Sequence, residues 1–200
     1  RAVATTLKTD RATVSMACSD TSPITKYEFS KDGGSTWVDR GTTASYTFTN
    51  LDQTTNYNFV GRCTNGSGLA TTSTKAGTTL TITAPTWDAN TNWTTSKTAT
   101  VTFNGTGIET GLAQYYIKST VAGTLPAGAK TQTCGTNAEP TSCTNETTTA
   151  VAANTWYRVT GTTNVTVTAN GSMYALTTDG RNKKSSSTLT ITTIDTTAPT

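Results

Sequence analysis

The side chains that most often carry acid–base catalysis are absent or scattered in this chain. It contains no histidine, the commonest general base, so Ser-His-Asp and Cys-His arrangements are excluded. Ser-Lys and paired-carboxylate chemistry stay open. The 12 acidic residues are spread along the sequence, and turn chemistry accounts for Asp32, Asp52 and Asp179. We therefore expect a protein that is not an enzyme and has no catalytic residues.

The cysteines are the next candidates for chemistry. Cys18, Cys63, Cys134 and Cys143 are spaced more widely than the close pairs of zinc sites. An even number of cysteines in a threonine-rich β protein predicts disulfides and an oxidising compartment, with buried free thiols as the alternative. Four cysteines allow three pairings. We expect no metal site and no cofactor.

Calcium at the domain junctions is a separate hypothesis. Asp88 and Asp195 each lie beside a junction, but no loop carries the three closely spaced acids that a calcium ion favours. A Lys–Asn isopeptide bond, with Lys8, Lys97 or Lys118 as the amine, would be a covalent cross-link in addition to the disulfides. The expected site residues therefore include no calcium ligand and no isopeptide lysine.

Composition indicates sheets as the elements that must position these residues. More than a quarter of the residues are threonine, 33% are hydrophobic and 14% are charged. Threonine is β-branched and suits the solvent face of a strand. Short alternating segments are separated by turn signals roughly every 8–12 residues, which is typical of a sandwich. The predicted fold class is all-β, with two tandem immunoglobulin-like antiparallel β-sandwich domains.

The net charge and the lack of a long apolar run limit the kinds of partner that this chain is expected to bind. The net charge is only +3, and the loose group Arg181, Lys183 and Lys184 is interpreted as a solvated loop, so no nucleic-acid partner is expected. No apolar run approaches the roughly 18 residues of a membrane span. We expect a monomeric segment whose partners are neighbouring repeats of the same chain.

The first domain is predicted at residues 1–82. Val14, Met16 and Cys18 alternate onto one strand face, and Asp32-Gly33-Gly34 predicts a tight hairpin turn. Leu51, Thr55 and Tyr57 stand where a fibronectin type III domain has the Leu and Thr-x-Tyr that open its F strand, and the segment resembles that family. The resemblance implies that Tyr57 is a tyrosine corner, with its hydroxyl bonded to the preceding loop.

The same resemblance gives Trp37 and two cysteines structural roles. The stretch from Tyr27 to Trp37 looks like the C–C′ hairpin of bacterial surface repeats, and Trp37 is expected to pack there. Cys18 on the expected B strand and Cys63 on the expected F strand both face inward, in opposite sheets. The predicted bridges are Cys18–Cys63 and Cys134–Cys143, although fibronectin type III domains usually lack the first.

The second domain is predicted at residues 83–194, with 195–200 as the start of a linker to a following repeat. Ala-Pro-Thr occurs at residues 84–86 and again at 198–200, each time after a threonine-rich strand. The stretch from Asn170 to Asp179 and the exit at 194–199 resemble bacterial immunoglobulin-like repeats of Gram-positive-type surface proteins. The resemblance implies an extracellular location, at a bacterial cell surface or secreted.

A long predicted insertion, residues 121–153, contains Cys134 and Cys143. A bridge between them either only lowers the conformational entropy of the loop or holds a recognition loop rigid for a partner. Trp156 is a further candidate ligand residue of such a recognition loop. The expected function is a non-catalytic structural or adhesive repeat module, a stalk or spacer. The alternative is a ligand-binding module that recognises a host surface protein or glycan through this loop.

Overall fold

The computed structural model describes residues 2–198, and every regular element in that range is a β-strand. The chain divides into two compact units: Arg1–Thr81 with Gly107–Glu109, and Ile82–Thr106 with Thr110–Thr200. Each unit contains two antiparallel sheets that enclose a hydrophobic core. The prediction of an all-β fold built from antiparallel sandwiches is confirmed. Within the described residues no helix is long and apolar enough to cross a membrane.

Within residues 2–198, the first unit has seven strands in two sheets. One sheet has the order β1-β2-β5 and the other has the order β4-β3-β6-β7. The strands are β1 Ala2–Leu7, β2 Ala12–Ala17, β3 Ile24–Ser30, β4 Val38–Asp39, β5 Ser45–Phe48, β6 Asn56–Asn65 and β7 Ala70–Thr78.

The core of the first unit forms where alternate residues of the two sheets meet. Val14 and Met16 on β2 are buried, as their alternation predicts, and they pack in one cluster with Phe29 and Phe59 of the other sheet. Gly61 lies in the inward stripe of β6, and a Cβ there would stand 2.8 Å from the Met16 sulfur. Glycine at this position therefore lets the sheets approach closely.

In the described part of the chain, the second unit has eleven strands in two larger sheets. Their orders are β13-β12-β15-β10-β17-β18 and β14-β11-β16-β9-β8. The strands are β8 Thr86–Ala89, β9 Lys97–Thr102, β10 Gln114–Ser119, β11 Gly123–Thr124, β12 Lys130–Thr133, β13 Thr144–Asn145, β14 Ala150–Val151, β15 Trp156–Val159, β16 Thr163–Val167, β17 Gly171–Thr178 and β18 Lys184–Ile191.

The segment predicted as a long loop differs most from expectation. Residues 121–153 contain the four short strands β11 to β14, and both sheets of the unit use some of them. Only the stretch from Cys134 to Cys143, between β12 and β13, is an insertion that carries the bridge. Strands of two to four residues show too little alternation for the sequence to reveal them.

Two further sequence predictions have different outcomes. The chain turns at Asp32-Gly33-Gly34, where both glycines adopt positive φ, 73° and 95°, but the hairpin is not tight, because residues 30–37 separate the paired Phe29 and Val38. After Val167 the chain crosses to the other sheet, since β16 and β17 belong to different sheets. The Asn170 side chain fixes this crossing by bonding both the amide and the carbonyl of Ile194. Of the predicted junction at 198–200, Pro199 and Thr200 lie outside the described residues.

Candidate functional site

The outer face of the six-stranded sheet carries a row of side chains across four neighbouring strands. The register places Lys118 of β10 directly opposite both Trp156 of β15 and Tyr174 of β17. Tyr174 in turn lies opposite Thr188 of β18. Because side chains on one face of a sheet recur with a period of two, a second row lies beside the first and consists of Arg158, Tyr116, Leu176 and Ser186.

The disulfide-closed loop from Cys134 to Cys143 covers part of this face, and we call it the clip. The bridge between its two cysteines is present, as predicted. The Cys134 amide donates to the Trp156 carbonyl over 2.7 Å, and the Trp156 amide donates to the Gly135 carbonyl over 2.8 Å. The indole Nε1 donates to the Asn137 carbonyl over 3.1 Å. The clip is therefore anchored on Trp156 from three directions.

This anchoring changes the role assigned to Trp156. The sequence singled it out as a candidate ligand residue, but its side chain is only 5% exposed. It packs in a small cluster outside the main core, under the clip, with Tyr116, Cys134 and Leu176. Trp156 thus mainly holds the clip against the sheet.

A groove of about 580 Å³ remains open beside the clip, and we call it the Tyr174 groove. The clip contributes Ala138 and Glu139 to its lining, and the edge strand β18 contributes residues 184–188. Its lining combines aromatic, aliphatic, charged and hydroxyl groups, namely Lys118, Ala138, Glu139, Trp156, Tyr174, Leu176, Lys184, Ser185, Ser186, Ser187 and Thr188. Mixed linings of this type are usual for small-molecule sites.

Lys118 lies on the floor of the Tyr174 groove between two aromatic rings. Its ammonium nitrogen is 4.8 Å from the centroid of the Trp156 ring and 5.3 Å from that of Tyr174. Cation–π attraction holds it there. Among residues 2–198, no carboxylate and no hydrogen-bond acceptor pairs with this ammonium. Its charge is therefore balanced only by the ring faces and by solvent.

One ion pair lies between the Tyr174 groove and a smaller cavity. Lys184 on β18 donates to the Glu139 carboxylate of the clip over 2.8 Å, and both side chains are about half exposed. On the other side of the pair lies a cavity of about 220 Å³, lined in part by Gln114, Pro140 and Arg181. Exposed pairs of this kind contribute little stability, about 0–1 kcal/mol. The pair therefore shapes the grooves more than it stabilises them.

The carboxylates with clearly shifted pKa values are held by structural partners. The Arg62 guanidinium, assisted by Lys26, lowers the pKa of Glu28 to about 2. The Thr133 and Thr148 hydroxyls, followed by Lys130, lower the pKa of Glu146 to about 2. A general acid at neutral pH needs a raised pKa. These carboxylates instead remain ionised acceptors.

The structure places the other predicted residues in the first unit. Cys18 directly follows β2, and it is bonded to Cys63 of β6 in the opposite sheet, which is the predicted pairing. The Tyr57 hydroxyl accepts a hydrogen bond of 2.9 Å from the Asp52 amide, five residues upstream. Trp37 lies outside the hydrophobic core, with the Arg62 guanidinium 4.2 Å from the centroid of its ring.

A second tyrosine corner was missed by the sequence analysis. The Tyr157 hydroxyl accepts a hydrogen bond of 2.8 Å from the Ala152 amide, also five residues upstream. Val151-x-x-x-Thr155-x-Tyr157 repeats the spacing of Leu51-x-x-x-Thr55-x-Tyr57. The shared Thr-x-Tyr is the signal from which this second corner could have been predicted.

The amines and acids considered for other cross-links and metals have ordinary surroundings. The Lys97 ammonium donates to the backbone carbonyl of Asn92, whereas an isopeptide bond requires a side-chain amide. Within residues 2–198 no group of three or more Asp, Glu or Cys side chains could hold a metal ion. Asp195 accepts a hydrogen bond from the Thr197 amide, as a turn residue does.

Comparison with known proteins gives only distant structural likenesses. No protein-family model matches the chain, and no curated protein matches it. Among solved structures, the chitinase ChiA74 from Bacillus thuringiensis is 14% identical over 82% of this chain, with a TM-score of 0.34. The match covers 25% of that chitinase, so this chain spans about a quarter of its length.

Two further solved structures match most of their own length. The fibronectin(III)-like modules of Clostridium thermocellum CbhA are 14% identical, with 92% of this chain and 85% of that chain covered and a TM-score of 0.34. A carbohydrate-binding module of the β-sandwich superfamily is 11% identical, with coverages of 92% and 96% and a TM-score of 0.34. At these values the likenesses carry no argument about function, which must come from the geometry of this chain.

Proposed function

We propose that this chain is a non-catalytic structural module, a stalk or spacer, of a large bacterial cell-surface or secreted protein. The observation that carries the proposal is the Cys18–Cys63 bridge, which joins the two sheets of the first unit covalently. The chain between Cys18 and Cys63, a sequence separation of 45 residues, cannot be extended by a pulling force while the bridge is intact. Such a unit lengthens less under load than one without the bridge.

The last long strand of each unit supports the same role. β7 pairs with β6 from Ala70 to Thr78, and β18 pairs with β17 from Lys184 to Ile191, without interruption in either case. A force that pulls such a strand along its length must break many backbone hydrogen bonds together. Continuous ladders of this kind give a sandwich its resistance to extension.

Chemistry and cellular location are inferred from separate observations. The ionised, structurally bonded Glu28 and Glu146 supply no general acid, which favours a non-catalytic module. Two disulfides favour an oxidising, extracellular environment. Under this proposal the chain acts as a monomeric segment whose partners are neighbouring repeats of the same protein.

Single-molecule extension of the chain tests the spacer proposal. We expect separate unfolding peaks for the two units, and a reductant should lengthen the extension of the first unit by about 160 Å, at about 3.6 Å per released residue. A Cys18→Ala, Cys63→Ala double variant serves as the control and should show the longer extension without reductant. A smooth extension with no unfolding peak would contradict the proposal.

A further inference from the structure

We propose that the Tyr174 groove binds an acidic saccharide, a sugar chain that carries carboxylate groups. This activity goes beyond the spacer role and does not depend on it. The starting point is Lys118, whose ammonium has no carboxylate or hydrogen-bond acceptor among residues 2–198. A ligand carboxylate would provide the charge-assisted hydrogen bonds that the protein leaves unmade.

The local charge balance favours an anion. Glu139 is the one acidic residue that lines the groove, and Lys184 already neutralises it over 2.8 Å. Lys118 therefore gives the groove a net positive charge. Its position between two rings fixes the ammonium and lowers the conformational cost of binding, because a preorganised side chain has less entropy to lose.

The rest of the lining matches a sugar better than a peptide. The half-buried ring of Tyr174 lines the groove and can pack against the apolar C–H face of a pyranose. The exposed hydroxyl-bearing residues Ser186 and Thr188 lie beside Leu176 and Tyr174 on the same face of the sheet, and their hydroxyls can exchange hydrogen bonds with sugar hydroxyls. A peptide would need deep apolar pockets for its anchor side chains, whereas the aliphatic lining here is limited to Ala138 and Leu176.

The clip gives the groove a fixed shape. Its bridge and its three hydrogen bonds to Trp156 set the wall at Ala138 and Glu139. Serving as the wall of a site explains why a loop of this size carries its own disulfide. The clip is then a support for the ligand site, and Trp156 is a positioning residue beneath it.

Titration with three acidic oligosaccharides tests the proposal. The probes are oligomers of galacturonate, of alginate and of hyaluronan, each compared with its uncharged methyl ester, and the measurements are calorimetry and backbone amide NMR. We expect at least one acidic probe to bind, to shift the amide signals of Lys118, Tyr174 and Ser186, and to weaken as salt is added. We expect its methyl ester to bind at least tenfold more weakly.

Two matched variants test whether Lys118 is the residue that binds the acidic probe. Lys118→Met keeps the side-chain length and its packing between the rings, and we expect it to weaken binding of the acidic probe at least tenfold. Arg40→Met removes a similar cation, 5.3 Å from the Tyr46 ring centroid in the first unit, and should leave binding unchanged. Both variants should keep the wild-type amide spectrum away from the substitution.

Several results would overturn the proposal. Binding of none of the three acidic probes would do so, as would equal binding of an acidic probe and its ester. Unchanged binding by the Lys118→Met variant would place the ligand elsewhere. A polyglutamate peptide that binds through Lys118 as tightly as the best saccharide would show a general acidic-peptide site instead. None of these results bears on the extension experiment that tests the spacer role.

Discussion

The two units use the same corner to cross between their sheets but place their disulfides differently. The chain passes from β5 to β6 in the first unit and from β14 to β15 in the second, and each crossing ends in a tyrosine whose hydroxyl binds an amide five residues upstream. Each crossing also has a residue with positive φ three positions before the tyrosine, Thr54 and Asn154. The corner is therefore a local device, set by sequence spacing and independent of the size of the sheets.

The disulfides separate two purposes that a cross-link can serve. Cys18–Cys63 spans the sandwich and closes a sequence separation of 45 residues, whereas Cys134–Cys143 closes one of 9 residues on the outer face of a sheet. The first constrains a large part of its unit in the unfolded chain. The second constrains only the clip. The comparison predicts a global effect on stability from one bridge and a local effect from the other.

Removal of the Cys18–Cys63 bridge should have the largest effect. Loop-closure entropy for a 45-residue separation predicts that Cys18→Ala with Cys63→Ala lowers the free energy of unfolding of the first unit by about 4 kcal/mol. Urea unfolding followed by amide signals of each unit measures this. The second unit should be unaffected, and a loss below about 1 kcal/mol would show that the bridge adds little to the sandwich.

Removal of the Cys134–Cys143 bridge should have a smaller and more local effect. The same calculation for a separation of 9 residues gives an upper value of about 2.5 kcal/mol for Cys134→Ala with Cys143→Ala. Because the clip packs outside the main core, we expect most of the change as faster amide exchange in the clip. Protection lost evenly across the core of the second unit would contradict this local role.

The sequence predicted the parts of this comparison that depend on alternation and spacing. Val14 and Met16 alternate clearly, so their strand and the inward side of Cys18 could be predicted. Tyr57 followed from the Leu and Thr-x-Tyr spacing, and the fold class followed from composition and turn signals. Each of these features depends on residues that are close together in the sequence.

The Tyr174 groove could not be predicted because it depends on register. Lys118, Tyr174 and Thr188 become neighbours only through the pairing of β10, β17 and β18, and no local pattern encodes that pairing. The burial of Trp156 depends in the same way on where the clip lies. Trp37 was expected to pack in its hairpin, and its ring lies beside Gly34 there, but its stacking with Arg62 depends on the pairing of β3 with β6.

An acid-dependent ion pair stabilises the first unit. The pKa of Glu28 falls from 4.5 to about 2 because of Arg62 and then Lys26, so its stabilising contribution is complete above about pH 5 and is lost as the pH falls toward 2. Glu28→Gln should cost about 1–2 kcal/mol at pH 7 and flatten this pH dependence. Unfolding of the first unit, measured from pH 7 to pH 2 in the wild type and in the Glu28→Gln variant, tests it. An unchanged acid profile of the first unit would contradict a role for this pair.

The smallest effects should come from the two corner hydroxyls, and they compare the units most directly. Tyr57→Phe and Tyr157→Phe each remove one hydrogen bond from an amide of an exposed residue, Asp52 or Ala152. Because water can replace the lost acceptor, we expect each variant to cost its own unit only about 1 kcal/mol. Tyr46→Phe is the control, since among residues 2–198 its hydroxyl has no hydrogen-bond partner. Equal losses of unfolding free energy in the two variants would show that the corner contributes the same free energy in both units. A loss confined to the Tyr57→Phe variant would show that the larger sheets of the second unit make its corner dispensable.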